Sequence, residues 1–317
     1  MKDIYDIVAE FKKRSSEQWA LATLVHVEGS SYRRPGARML ICQDGLTIGS
    51  LSGGCIEEEV AVRALEVLRT SSTVTLTFDN RRHFGCHGKI DIFIERARES
   101  FLHDLVTALA VRRCCVVITS SEGSFVAHSS AAEAAGFPPL VGRETDRFPN
   151  RPLVQKIEPP LRLLIFGQGP DSRALRRFAE LLGWETIEAQ DPGTLTITSD
   201  DRTAAIVKSH NYGRDFAALQ KLLPLNLRYV GLIGPRKRRD QLLNDLLDSG
   251  ITIHAGFFAP AGLNLGSETP NEIALSIVSE IQRVFGGGSG ESFRDSKKPI
   301  HASDAPPVID QCPKSAQ

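Results

Sequence analysis

Two cysteines lie in glycine-flanked turns, where a thiol is accessible and its charge can be tuned. The first is Cys55, in Ser50-Leu51-Ser52-Gly53-Gly54-Cys55. Gly53 and Gly54 allow a sharp backbone turn, and Cys55 then opens a helix expected to run to about Arg69. A thiol at a helix N-terminus feels the positive end of the dipole, which favours thiolate, the form that binds metals or carries sulfur. Glu57, Glu58 and Glu59 support the helix but partly offset that effect on the thiol. The alternative for Cys55 is a small buried residue packing the turn. The second is Cys86, in Phe84-Gly85-Cys86-His87-Gly88, just before a strand. Two such cysteines in one small domain suggest a shared pocket, with Cys55 and Cys86 as the candidate metal ligands. His83 and His87 read as polar loop residues. Cys42 and the pair Cys114-Cys115 read as core, and Cys312 as incidental to a polar tail. The six cysteines form no CxxC pair and no zinc-finger spacing, so free thiols are expected.

Two further constellations can hold anions. Gly29-Ser30-Ser31-Tyr32-Arg33-Arg34-Pro35-Gly36, followed by Arg38, gathers small hydroxyl donors and guanidinium groups. Ser30, Ser31, Arg33, Arg34 and Arg38 could bind an oxyanion or phosphate by paired hydrogen bonds. A solvated basic turn is the plainer reading. Gly167-Gln168-Gly169-Pro170-Asp171-Ser172 follows a strand and precedes a helix, the setting of a dinucleotide-binding turn. There Gly167 permits the turn and Gly169 a close approach to a diphosphate. However, Asp171 would repel a diphosphate, and Gln190 precedes Asp191 where an acid usually meets the ribose. An NAD(P)-dependent oxidoreductase is therefore the alternative function, and a scaffold that kept the turn for topology is the plainer one.

The elements that must position these residues fall into two halves. The first mixes helices and hairpins: a helix over 1–14 with Ile4, Ile7, Val8 and Phe11 on one face, a strand over 21–27, and strands at 38–42 and 47–51 around Asp44-Gly45. Strands at 74–78 and 89–95, a helix over 102–112 and a strand over 115–120 come next. Residues 121–160 read as a linker or irregular insertion. The second half has a βαβ rhythm, with strands at 161–166, 185–189, 204–207 and 229–233. Its last helix opens at Thr269-Pro270-Asn271-Glu272, a capping box with proline at the first helical position. The expected domains are 1–120, mixed α+β, and 161–286, a Rossmann-like doubly wound parallel sheet; 287–317 is read as a disordered tail. A length of 317 residues agrees with two domains. Lys plus Arg and Asp plus Glu both total 38, so net charge is zero and a nucleic-acid-gripping surface is not expected. No apolar run approaches the roughly 18 residues of a membrane span, and no signal-peptide core opens the chain, so a cytoplasmic protein is expected.

The motifs together resemble a known family. Glu28-Gly29-Ser30-Ser31, Arg34-Pro35-Gly36-Ala37-Arg38-Met39 and Gly49-Ser50-Leu51-Ser52-Gly53-Gly54-Cys55-Ile56-Glu57 are similar to the N-terminal domain of the XdhC/CoxI family. Tyr229-Val230-Gly231-Leu232-Ile233-Gly234-Pro235-Arg236, Ala261-Gly262-Leu263-Asn264-Leu265-Gly266 and Glu268-Thr269-Pro270-Asn271-Glu272 resemble its C-terminal Rossmann domain. The resemblance implies a non-enzymatic accessory protein that binds the molybdenum cofactor (molybdopterin), supports its sulfuration or protection, and delivers it to an apo molybdenum hydroxylase such as xanthine dehydrogenase. It places Cys55 and Cys86 on the family's two cysteine positions and gives the basic loop a partner in the pterin phosphate. It also implies a homodimer and a possible cysteine desulfurase partner. Two positions depart from the family pattern: His87 follows Cys86 where glycine is usual, and Pro170 follows Gly169 where histidine is usual.

Overall fold

The structure is a computed structural model that describes residues 1–79, 88–127, 148–189 and 199–295. The chain divides between Pro159 and Pro160 into two compact units.

The first unit opens with α1 (Lys2–Lys13), whose Ile4, Ile7, Val8 and Phe11 are all buried. Strands β1 (Trp19–Gly29), β2 (Arg38–Cys42), β3 (Thr47–Gly49), β4 (Val74–Asp79) and β5 (Gly88–Arg96) form an antiparallel sheet in the order β3-β2-β1-β5-β4. Central β1 is buried on both faces from Trp19 to Val25, as its continuous apolar run requires. One face, with Ala22, Leu24, Ile41 and Ile92, packs against Val60, Ala64 and Val67 of α2 (Glu57–Thr70). The other, with Trp19, Leu21 and Leu40, packs against α1 and against Phe101, Leu102 and Leu105 of α3 (Glu99–Ala110). The register of β1 against β5 shifts between Leu24 and His26. Such a bulge bends a strand and re-aims the residues beyond it. Here β1 runs on to Gly29 and delivers the chain into the Ser30–Pro35 loop.

The segment read as a linker carries two strands. β7 (Gly123–Ala127) and β8 (Leu153–Ile157) pair on either side of β6 (Cys115–Ser120) in a small antiparallel sheet. The β6–β7 return is tight, pairing Ser120 with Gly123, whose φ of +122° suits glycine. The β6–β8 pairing sets Cys115 against Ile157, too far along the chain for any local pattern to announce. Residues 128–147 lie outside the described residues.

In the second unit, strands β9 (Arg162–Phe166), β10 (Glu185–Ala189), β11 (Thr203–Val207), β12 (Tyr229–Leu232) and β13 (Phe257–Phe258) make a parallel sheet ordered β10-β9-β11-β12-β13. Alternate residues of β9 face opposite layers. Leu163 and Ile165 pack against α4 (Pro170–Leu181) and α7 (Pro270–Gly286). Leu164 and Phe166 pack against α5 (Tyr212–Leu222) and α6 (Arg236–Asp248). This is the doubly wound arrangement the βαβ rhythm predicts. Thr269 and Glu272 form the capping box at the start of α7. Strand order reverses between β9 and β11, so the loops leaving these two strands flank the topological switch point. No helix among the described residues is long and apolar enough to cross a membrane.

Candidate functional site

In the first unit the basic loop and the cysteine turn lie side by side. Arg33 donates through Nη1 to Ser50 Oγ at 3.3 Å and pairs through Nη2 with Asp3 of α1. The loop is thereby tied to both the helix and the segment that leads into Cys55. On its other flank, a Cβ at Gly88 would lie 2.0 Å from the Ser30 carbonyl oxygen, so only glycine permits this close approach. Ser30, Arg34 and Cys55 are exposed, Ser31 is half-buried, and Tyr32 is 71% exposed. Tyr32 therefore exposes its ring to solvent within the same loop. Among the described residues, nothing lies within 4 Å of where a Cβ would stand at Gly53 or Gly54, and Gly54 adopts φ of +105°. The thiol thus stands on an open turn rather than packing it.

Arg38 is placed differently from the other loop residues. It is 1% exposed, donating through Nη1 to the Gly36 carbonyl at 3.1 Å and to Gln155 Oε1, and through Nη2 to Thr119 Oγ1 at 3.4 Å. Burial pushes the pKa of its guanidinium down to about 10, opposed by the carboxylate of Glu95. Glu95 is itself buried, which pushes its carboxyl up despite hydrogen bonds from Ser124. Here Arg38 joins β2 to β6 and β8 from inside, instead of facing an anion in solvent. Its charged type in an otherwise apolar strand gave no hint of this, because the partners lie on strands distant in sequence.

Cys86, His83 and His87 lie outside the described residues. Cys42 and Cys115 are buried, as core thiols should be, and Cys114 is half-buried. Among the described residues no group of three or more His, Cys, Asp or Glu side chains is gathered as for a metal ion.

Gly167 and Gly169 belong to the second unit, at the switch point. Both have positive φ, +116° and +139°. The concave side of the turn is filled by the protein itself. Lys208, whose side chain is fully buried, donates to Asp171 Oδ1 at 2.7 Å and to the Gln168 carbonyl at 3.1 Å. A Cβ at Gly169 would meet Asp171 Oδ1 at 2.9 Å and Lys208 Nζ at 3.5 Å. Nearby, buried Asp215 accepts from the Ser209 amide at 2.9 Å and pairs with Arg238. The ammonium that a diphosphate would seek is therefore held by a carboxylate on the first turn of α4. Gln190 and Asp191 lie outside the described residues.

Comparison with known proteins agrees with this division. The profile of the XdhC and CoxI family matches residues 13–79, and that of the XdhC Rossmann domain matches residues 163–281. A protein of Bacillus subtilis (strain 168), named as a probable subunit of xanthine dehydrogenase, is 31% identical over 311 residues, covering 84% of this chain and 92% of its own length. The molybdenum cofactor insertion chaperone PaoD of Escherichia coli (strain K12) is 23% identical over 273 residues, covering 83% of this chain and 82% of its own. A solved structure described as a xanthine dehydrogenase from Bacillus halodurans superposes with a TM-score of 0.75 at 23% identity, over 94% of this chain and 98% of that one, and so shares the fold. With both characteristic domains present in order and a relative above 30% identity along most of its length, the chain belongs to the XdhC and CoxI family.

Proposed function

We propose that this protein binds the molybdenum cofactor in its first unit and serves the maturation of a molybdenum hydroxylase, keeping the cofactor's sulfur ligand intact until delivery. One observation carries the reading: the exposed Cys55 thiol stands on an open glycine turn that Arg33 ties to the Ser30–Arg34 loop. The names of the relatives, a cofactor insertion chaperone and a xanthine dehydrogenase subunit, point the same way.

The residues present suit the group. A thiolate is a soft ligand that suits a sulfur-bearing metal, and one protein thiol suffices where the metal arrives already ligated by its pterin. The bound cofactor supplies the molybdenum and its terminal sulfur; the chain supplies a hold and a shield. Cys55 offers the thiolate. Ser30 and Arg34 offer donors matched to a phosphate, and Tyr32 offers a face for a planar ring. Arg33 holds the loop in place through Asp3 and Ser50. Cys86, on the family's second cysteine position, is the proposed companion of Cys55.

The test is retention of cofactor released from a molybdenum hydroxylase, read as fluorescence of the oxidised pterin that stays with the purified protein. Wild type is expected to retain it, and Cys55→Ala to weaken retention roughly 10-fold or more, as for loss of a metal ligand or its support. Folded wild-type protein that retains no pterin at micromolar cofactor would sink the proposal.

A further inference from the structure

One carboxylate collects hydrogen bonds from along the turn that bears Cys55. Glu57 Oε1 accepts from the amides of Leu51 at 3.2 Å and Ser52 at 2.7 Å, and Oε2 accepts from the amide of Ile56 at 3.1 Å. The Ser52 hydroxyl lies 3.1 and 2.8 Å from the two carboxylate oxygens. A hydroxyl has one proton to donate. Once that proton is directed to Glu57, the lone pairs of Ser52 Oγ are left to receive the amides of Gly54 and Cys55, both at 3.3 Å. The carboxylate therefore orients Ser52, and Ser52 orients the two peptide units that carry the thiol.

Among the described residues nothing else supports the turn in the same way. No described residue lies within 4 Å of a Cβ placed at Gly53 or Gly54, and Ile56, at the N-cap of α2, makes no side-chain capping bond. Burial pushes the Glu57 carboxyl up, but the hydrogen bonds from Ser52 and Ile56 outweigh it and hold it below its ordinary value of 4.5. A glutamine would keep one acceptor oxygen and turn an NH2 group toward amide donors. With the Gly54 and Cys55 amides engaged by Ser52, the exposed Cys55 side chain is held on a fixed stretch of backbone.

We infer that Glu57 is a positioning residue for the cofactor-binding thiol, acting through Ser52 to hold the Gly53-Gly54-Cys55 turn. This rests on the reading of Cys55 given under Proposed function. Support for a ligand from its outer partners is commonly worth roughly 10- to 100-fold in metal affinity.

The experiment is a double-mutant cycle on the full chain. Affinity for cofactor released from a molybdenum hydroxylase is measured for wild type, Glu57→Ala, Cys55→Ala and the double variant. Hydrogen exchange is followed on the peptide spanning 51–57. Glu57→Ala is expected to weaken binding by roughly 10- to 100-fold and to speed exchange of the Ser52 to Ile56 amides. In the Cys55→Ala background it should add no further loss, because it acts only through that thiol. An equal loss in both backgrounds would mean a general structural effect and overturn the inference, as would unchanged exchange. Should Glu57→Ala not fold, Ser52→Ala carries the same cycle, with a smaller loss expected because the carboxylate still holds Leu51 and Ile56. If Cys55→Ala binds as wild type does, the reading of Cys55 fails and the inference about binding with it. Exchange would then still report separately whether Glu57 holds the turn.

Discussion

At the scale of single residues, similar side chains in one short segment do different work. Arg33, Arg34 and Arg38 all follow the same glycine-serine turn, yet Arg34 is exposed, Arg33 is clamped by Asp3 and Ser50, and Arg38 is inside. A buried guanidinium must be hydrogen-bonded, and three acceptors from β6, β8 and the Gly36 carbonyl meet it. Arg38→Ala would take this donor from the Gly36 carbonyl and Gln155 Oε1, and leave buried Glu95 without its nearby guanidinium; Thr119 Oγ1 would keep its bond with Ser124 at 2.8 Å. It is expected to destabilise the protein by about 3 kcal/mol, read as a shift in the urea midpoint. Arg38→Lys should recover only part of this, since an ammonium cannot reproduce the planar fork. A midpoint unchanged by Arg38→Ala would show that the buried network contributes little.

At the scale of elements, the turn after β9 illustrates how a familiar strand–glycine–helix shape can be closed from within. Lys208 comes from the end of β11 and Asp171 from the first turn of α4, so their pairing joins the two elements that flank the switch point. A buried charge is tolerated only when paired, and removing one partner commonly costs about 3–5 kcal/mol. Asp171→Ala should therefore be strongly destabilising, whereas the double change Lys208→Met with Asp171→Leu should recover most of the loss. Chemical denaturation of wild type and the two variants checks this. Equal stability of Asp171→Ala and wild type would mean that Lys208 reaches water. Much of the element level was legible beforehand. The apolar stripe of α1, the Asp44-Gly45 hairpin and the capping box of α7 are local signals, and the observed elements follow them. β7 and β8 were not legible, because their pairing with β6 depends on residues brought together by the fold.

At the scale of the whole molecule, each unit has its own core on both faces of its own sheet. A unit with a complete core can in principle fold alone. Residues 1–159 and 160–295, produced separately, are each expected to unfold cooperatively in urea, with a single transition seen by both far-UV circular dichroism and fluorescence. Non-coincident transitions in either fragment would mean that its core is incomplete. Zero net charge describes the whole chain but conceals the local gathering of Arg33 and Arg34 beside Ser30.

The sequence alone determined the two domain types, the chain order of most elements and the positions of the glycine-flanked cysteines, because hydrophobic period, turn glycines and capping residues act over a few neighbours. It also marked Cys55 and the Ser30–Arg38 segment as places where chemistry is possible. Only the tertiary structure decided which of those side chains face outward. Burial and hydrogen-bond partners are set by strands far apart in the chain, which draw Arg38 inward onto β6 and β8. The same holds for Lys208, which reaches across from β11 to close the glycine turn. The role of Glu57 also emerged only in three dimensions. In one dimension it is an acid in the first turn of a helix. In the fold, its carboxylate collects the amides and hydroxyl that hold Cys55 toward solvent.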